Sequence, residues 1–164
     1  YGLVGSEMCI RDRYYIMNNL QQILEMWKKD SVIDELKLDE SSRNSAKLHG
    51  KYLEILSVNR MKLKKADNEF KVLLKNKWLH YNGKLSQEEI DELGWSYDPL
   101  NGLTILKGDM DRFYDSDPHI QEHKAKIQYL EEVCDTLKEI LENIKWRHQT
   151  IKNMIEWRKF TSGI

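Results

Sequence analysis

The sequence predicts a mainly α-helical protein of long helices with heptad-like seams, a short irregular or small β insert in the middle, and assembly as a helical homo-oligomer. Three observations predict it. Apolar residues recur in steps of three and four over two long stretches. Breakers are scarce, with two prolines and eight glycines in 164 residues. Charged residues make up 32% of the chain against 40% hydrophobic, enough for a core and for long solvated helix faces. The length suits one domain, expected over residues 17–164.

Residues 1–16 stand apart. "YGLVGSEMCIRDR" carries no helical stripe and no strand alternation that continues into the neighbouring residues. Its apolar run is too short for a signal peptide and is interrupted by acidic residues. It resembles translated adaptor sequence found in metagenomic protein sets, so the expected start is Met17 in "MNNLQQILEMW". Without Cys9, Cys134 is the single thiol, which predicts no internal disulfide and a reducing compartment. No apolar stretch approaches membrane-spanning length. A soluble intracellular protein is expected.

The first helix is predicted over 19–29, from the spacing of Leu20, Ile23, Leu24 and Trp27. "DSVIDELKLDESS" reads as a turn-rich or short extended connection. A long helix over 45–80 comes next. Tyr52, Leu56, Asn59, Leu63, Ala66, Phe70 and Leu73 step by four and three, an a/d seam in which Asn59 is placed to fix register. The pattern breaks over 83–117. "SQEE" at Ser86 is a capping-box signature and Gly94 a stop, giving a short helix over 87–93. Leu103 to Leu106 is β-like, part of a small hairpin or an irregular loop. Asp117 as N-cap and Pro118 at the first position open the last helix, expected over 118–160. Its seam includes Leu130, Cys134, Leu137, Leu141, Ile144, Ile151 and Ile155, and Leu137, Leu141, Ile144, Ile151 and Ile155 are the expected oligomer contacts.

No enzyme signature is present: there is no phosphate-binding glycine loop and no G-x-S-x-G elbow. Cys134 on an apolar seam reads as a core residue. His119 and His123 lack the further ligands zinc would need. "GDMDRFYDSD" lacks the central glycine and closing glutamate of a calcium loop and reads as a solvated acidic loop. The chain is expected to be no enzyme and to use no cofactor and no metal.

A net charge of −1 hides a strong asymmetry. From Arg60 to Lys84, eight Lys/Arg face Asp67 and Glu69, a net of +6. From Leu85 to His119, nine Asp/Glu face Lys107 and Arg112, a net of −7. On a helical wheel Arg60, Lys64, Lys71 and Lys75 fall within about 60° of one another. Trp78 lies on the same edge. Cations beside a flat indole suit single-stranded nucleic acid, whose phosphates need charge and whose bases need a stacking surface. The same lysines also suit the solvated outside of a bundle helix, and pattern alone leaves both readings open. Lys77 falls about 160° from Lys75, in line with the apolar seam. It is expected at a helix end, or facing an oligomer seam or lumen. "IKNMIEWRKFTSGI" is amphipathic and basic on one side, which suits subunit packing better than a membrane surface.

The order and spacing of three segments, "LEMWKKDSVIDELKL", "LLKNKWLHYNG" and "IKNMIEWRKFTSG", resemble the UvsY family, recombination mediators of T-even-type phages. The likeness covers nearly all of the chain after Met17. It implies a non-enzymatic mediator that binds single-stranded DNA as a ring-like homo-oligomer. Its partners would be single-stranded DNA, a phage recombinase, single-strand binding protein and itself, in the cytoplasm of the infected bacterial host. The resemblance also places a basic-x-basic strand-binding pair at Lys75 and Lys77, where the family's best-known form has arginine second. The charge is kept and the planar fork is absent. The family's C-terminal oligomerisation helix matches Ile144 to Phe160. The expected strand-binding residues are therefore Arg60, Lys64, Lys71, Lys75, Lys77 and Trp78. The rival reading is a helical oligomeric scaffold with no nucleic-acid activity.

Overall fold

The computed structural model describes residues 19–163, so the expectation for residues 1–16 lies outside the described residues. Five helices and no strand are present among the described residues: α1 (Leu20–Asp30), α2 (Leu38–Tyr81), α3 (Gln87–Leu93), α4 (Met110–Ser116) and α5 (Pro118–Ser162). They form two compact units. Of the described residues, the first takes 19–61 together with 130–163; the second is Lys62–Tyr129. α2 and α5 each run unbroken through both.

In unit 1, Asn19 caps α1 by accepting the backbone N–H of Gln22 at 2.8 Å, and Ile23 is fully buried. Tyr52 on α2 packs edge-on against Trp27, with ring centroids 5.5 Å apart. Its hydroxyl donates to Asp30 at 3.0 Å, and Lys51 pairs with the same carboxylate oxygen at 2.6 Å. From α5, the buried Arg147 donates to the backbone oxygens of Ser31 and Val32 at 2.8 and 3.0 Å. These carbonyls lie just past the end of α1, where no helical partner remains for them. Replacing Arg147 by lysine removes the planar fork that reaches both. A loss of about 2 kcal/mol is expected in chemical denaturation, the usual size for hydrogen bonds made by a charged group; an unchanged midpoint would show that the fork holds nothing.

α2 begins at Leu38, not at Ser45. The serines and asparagine of "DESSRNS" read as turn chemistry, but they lie in a helix whose first turn carries Asp39 and Glu40, where acidic groups favour the helix dipole. Asp39 also pairs with Arg43 one turn on, at 3.1 Å. α1, α2 and α5 otherwise match their expected bounds to within two residues at each end.

The insert takes one of the two forms the sequence left open and adds one element. Leu103 to Leu106 form no strand; the stretch is the irregular alternative, and Leu103 and Leu106 are solvent-exposed. The acidic loop contains α4, whose Phe113 and Tyr114 rings lie 6.0 and 6.5 Å from Tyr81. α3 matches expectation, with a complete Ser86–Glu89 capping box and Gly94 closing it at φ +67°.

The seam on α5 is occupied by the chain's own core. Leu137, Leu141, Ile144 and Ile151 are 0–7% exposed within one chain, so they have little surface left for an oligomer contact. Steps of three and four mark a buried stripe without saying which chain covers it. Ile155 alone of the five is exposed, together with Trp146, Trp157 and Phe160. Asn59, expected to fix register, donates to Ile55 O of its own helix at 2.9 Å. Cys134 is buried, and burial pushes its thiol up, which keeps it protonated and unreactive at neutral pH.

Candidate nucleic-acid interface

Within unit 2, the last turns of α2 have two differently used sides. Outward, Lys64, Lys71 and Lys75 are open to solvent to differing degrees, and none makes an ion pair with another described residue. Trp78 is 42% exposed beside them. α2 ends in a turn through Gly83, whose φ of +65° suits glycine. The N–H of Lys84 then bonds back to Leu79 O at 2.8 Å. This reversal brings the Lys84 ammonium over the Trp78 ring, 4.4 Å from its centroid. The outer side thus presents three cations that make no ion pair with a described residue, one of them, Lys75, near enough to Glu89 to favour its charged form, with an indole and a fourth cation held on that indole. Arg60, in unit 1, is likewise exposed on its stretch of α2.

Inward, the same turns are closed by a buried polar cluster. Lys77 is 3% exposed. Its ammonium lies 2.9 Å from Asp117 Oδ2 and 3.0 Å from His119 Nδ1, and 4.0 Å from the centroid of Trp95. Asp117 also accepts the Tyr81 hydroxyl at 2.8 Å. Its other oxygen accepts the backbone N–H groups of His119 and Ile120 at 2.9 and 3.2 Å, the expected N-cap of α5. His80, buried near the end of α2, lies with its ring tilted 44° to that of Trp95, centroids 5.0 Å apart, and bonds Ser96 O at 2.6 Å. The end of α2 therefore ties both the segment after α3 and the start of α5.

Burial by itself would raise the Asp117 carboxyl. Hydrogen bonds from Lys77, Tyr81 and the Ile120 backbone, with the Lys77 charge, outweigh it and hold the carboxyl below its ordinary value. The folded state thus binds that proton less readily than the unfolded chain. Its contribution to stability is complete above the unfolded value of about 4 and is lost as pH falls through the lowered folded value. In urea unfolding, the difference in stability between wild type and Asp117→Asn is expected to be constant above about pH 4 and to shrink below it. A difference that shrinks between pH 7 and 5 would place the controlling proton elsewhere.

Of the six residues expected to bind a strand, the structure leaves Arg60, Lys64, Lys71, Lys75 and Trp78 on the surface and puts Lys77 inside. The wheel separates Lys77 from the stripe, but its place is a buried ion pair within the chain, not a lumen. Sequence reasoning missed Lys84, which faces Trp78 only because Gly83 reverses the chain. It also missed Trp95 and Tyr81, which join the Lys77–Asp117 pair from positions that share no periodicity with it. Among the described residues, no helix is long and apolar enough to cross a membrane.

Long helices, a charged face with an exposed indole, and a polar lock beneath it define a helical protein whose exposed chemistry suits a flexible polyanion. The family model described as "Recombination, repair and ssDNA binding protein UvsY" matches residues 26–164. The chain belongs to the UvsY family. It is 26% identical over 144 residues to the recombination protein uvsY of Enterobacteria phage T4, a match covering 88% of this chain and 98% of that protein. Two crystal structures of the bacteriophage T4 recombination mediator protein UvsY superpose with a TM-score of 0.74. One is 24% identical and covers 88% of this chain and 98% of its own. The other is 25% identical and covers 87% and 98%.

Proposed function

We propose that this protein is a recombination mediator that binds single-stranded DNA without sequence specificity. It works as a homo-oligomer and helps load a phage recombinase onto strands covered by single-strand binding protein, in the cytoplasm of the infected host. The observation that carries this reading is the outward set Lys64, Lys71, Lys75 and Trp78 on one end of α2, in a chain of the UvsY family. Unpaired ammonium groups exchange counterions with phosphates, and an indole stacks on any base, so affinity tracks salt and ignores sequence. Several copies of a weak face in one ring would add by avidity.

Self-association is supported by the exposed apolar groups near the end of α5. Trp157 stacks on Phe160 at 5.8 Å, and both are largely open to solvent, as is Trp146. These aromatics, with Ile155, are a better oligomer surface than the buried seam.

Fluorescence anisotropy of a labelled oligothymidylate tests the reading. Log affinity is expected to fall linearly with log salt. The Lys71→Ala/Lys75→Ala variant, with its oligomer intact by light scattering, is expected to bind more weakly and with a shallower slope, by about 0.7 for each phosphate no longer neutralised. A well-assembled wild-type protein that binds no strand at low salt would leave the scaffold reading in its place.

A further inference from the structure

We infer that Lys77 is a positioning residue of the strand-binding face and does not itself touch phosphate; the inference rests on the strand-binding reading above. A lysine ammonium has three N–H donors and no more. At Lys77 the ammonium is closed in by groups of its own chain: Asp117 at 2.9 Å, His119 Nδ1 at 3.0 Å, and the face of Trp95 at 4.0 Å. The side chain is 4% exposed and that of Asp117 2%. A phosphate could reach this ammonium only by stripping it from a buried carboxylate, which would then be left charged and unpaired.

Helix geometry leads to the same division. Residues two apart leave a helix about 200° from each other, so they do not share a face. Lys75 is exposed, and Lys77 is enclosed. A basic-x-basic pair on a continuous helix cannot offer both charges to one stretch of strand. The outward lysine meets the phosphate. The inward one, through Asp117 and Tyr81, fixes the turn that carries Trp78 and leads to Lys84.

The test uses the intact chain, the same oligothymidylate and a full salt series. It compares wild type, Lys75→Met, Lys77→Met and Lys77→Met/Asp117→Asn, with helicity and oligomer size checked for each. Asparagine keeps an acceptor for the α5 cap, and its amide N–H can donate to the Tyr81 hydroxyl where the second carboxylate oxygen accepted from it, while the unpaired charge is removed. Lys75→Met is expected to make the salt slope shallower by about 0.7 for the one phosphate it leaves unneutralised. Lys77→Met is expected to weaken binding at every salt concentration while keeping the wild-type slope. The double variant is expected to recover both the affinity and the wild-type slope, a rescue that is impossible if Lys77 itself neutralises a phosphate. A slope lowered in both Lys77 variants as far as in Lys75→Met would overturn the inference, and so would wild-type affinity in Lys77→Met alone. If Lys77→Met fails to fold, the slope of the double variant decides. Absence of any salt-dependent binding by wild type would overturn the strand-binding reading itself, and this inference with it.

Discussion

Lys77→Ala is expected to destabilise unit 2 by about 3–5 kcal/mol, because it leaves the Asp117 carboxylate buried without its cation. Lys75→Ala, two residues away, is expected to stay within about 0.5 kcal/mol, as an exposed lysine without an ion pair should. The two variants have the same change in composition and the same loss of formal charge, so composition cannot separate them. Urea unfolding monitored by circular dichroism does. Equal effects would mean that the Lys77–Asp117 pair is not closed in solution. The cost at Lys77 reflects the uncompensated carboxylate more than the worth of the pair. For that reason the paired substitution at both positions is expected to return much of the stability.

Leu137→Ala is expected to cost about 2–5 kcal/mol, the range for emptying a fully buried leucine site. The loss should be independent of protein concentration, because the side chain is covered by its own chain. Were Leu137 an intersubunit contact, the variant would also assemble less, and its midpoint would depend on concentration differently from that of wild type. Trp157→Ser is the counterpart: little change in the stability of the single chain, with a smaller assembly by light scattering. A smaller assembly for Leu137→Ala at concentrations where wild type is fully associated would return the α5 seam to the oligomer.

How much of this was legible in the sequence divides along physical lines. Caps and breakers are local, so Ser86 with Glu89, Gly94 and Asp117 were readable in place. The long seams were readable as buried stripes, but periodicity carries no information on which chain supplies the covering surface. Leu141 and Ile144 look the same whether they meet their own chain or another copy. α4 has no apolar stripe; its Phe113 and Tyr114 meet Tyr81, a tertiary contact that overrides a polar, aspartate-rich local pattern. The outward cations could be read from the wheel. The inward lock could not, since Lys77, Trp95 and Asp117 come from three segments with no common spacing.

The division of the chain also bears on the order in which it can become structured during synthesis. Unit 2 is one continuous stretch, Lys62–Tyr129, so the whole of it has been made once Tyr129 has left the ribosome. Unit 1 is split: the carbonyls of Ser31 and Val32 wait for Arg147, translated after everything in unit 2. Its contacts are therefore the more distant ones along the chain, the kind that close late and slow folding. The face bearing Lys71, Lys75 and Trp78 belongs to the early half, while the exposed aromatics of α5 belong to the late half. A nascent chain would hold the whole of its cationic surface before the exposed aromatics of α5 had been made.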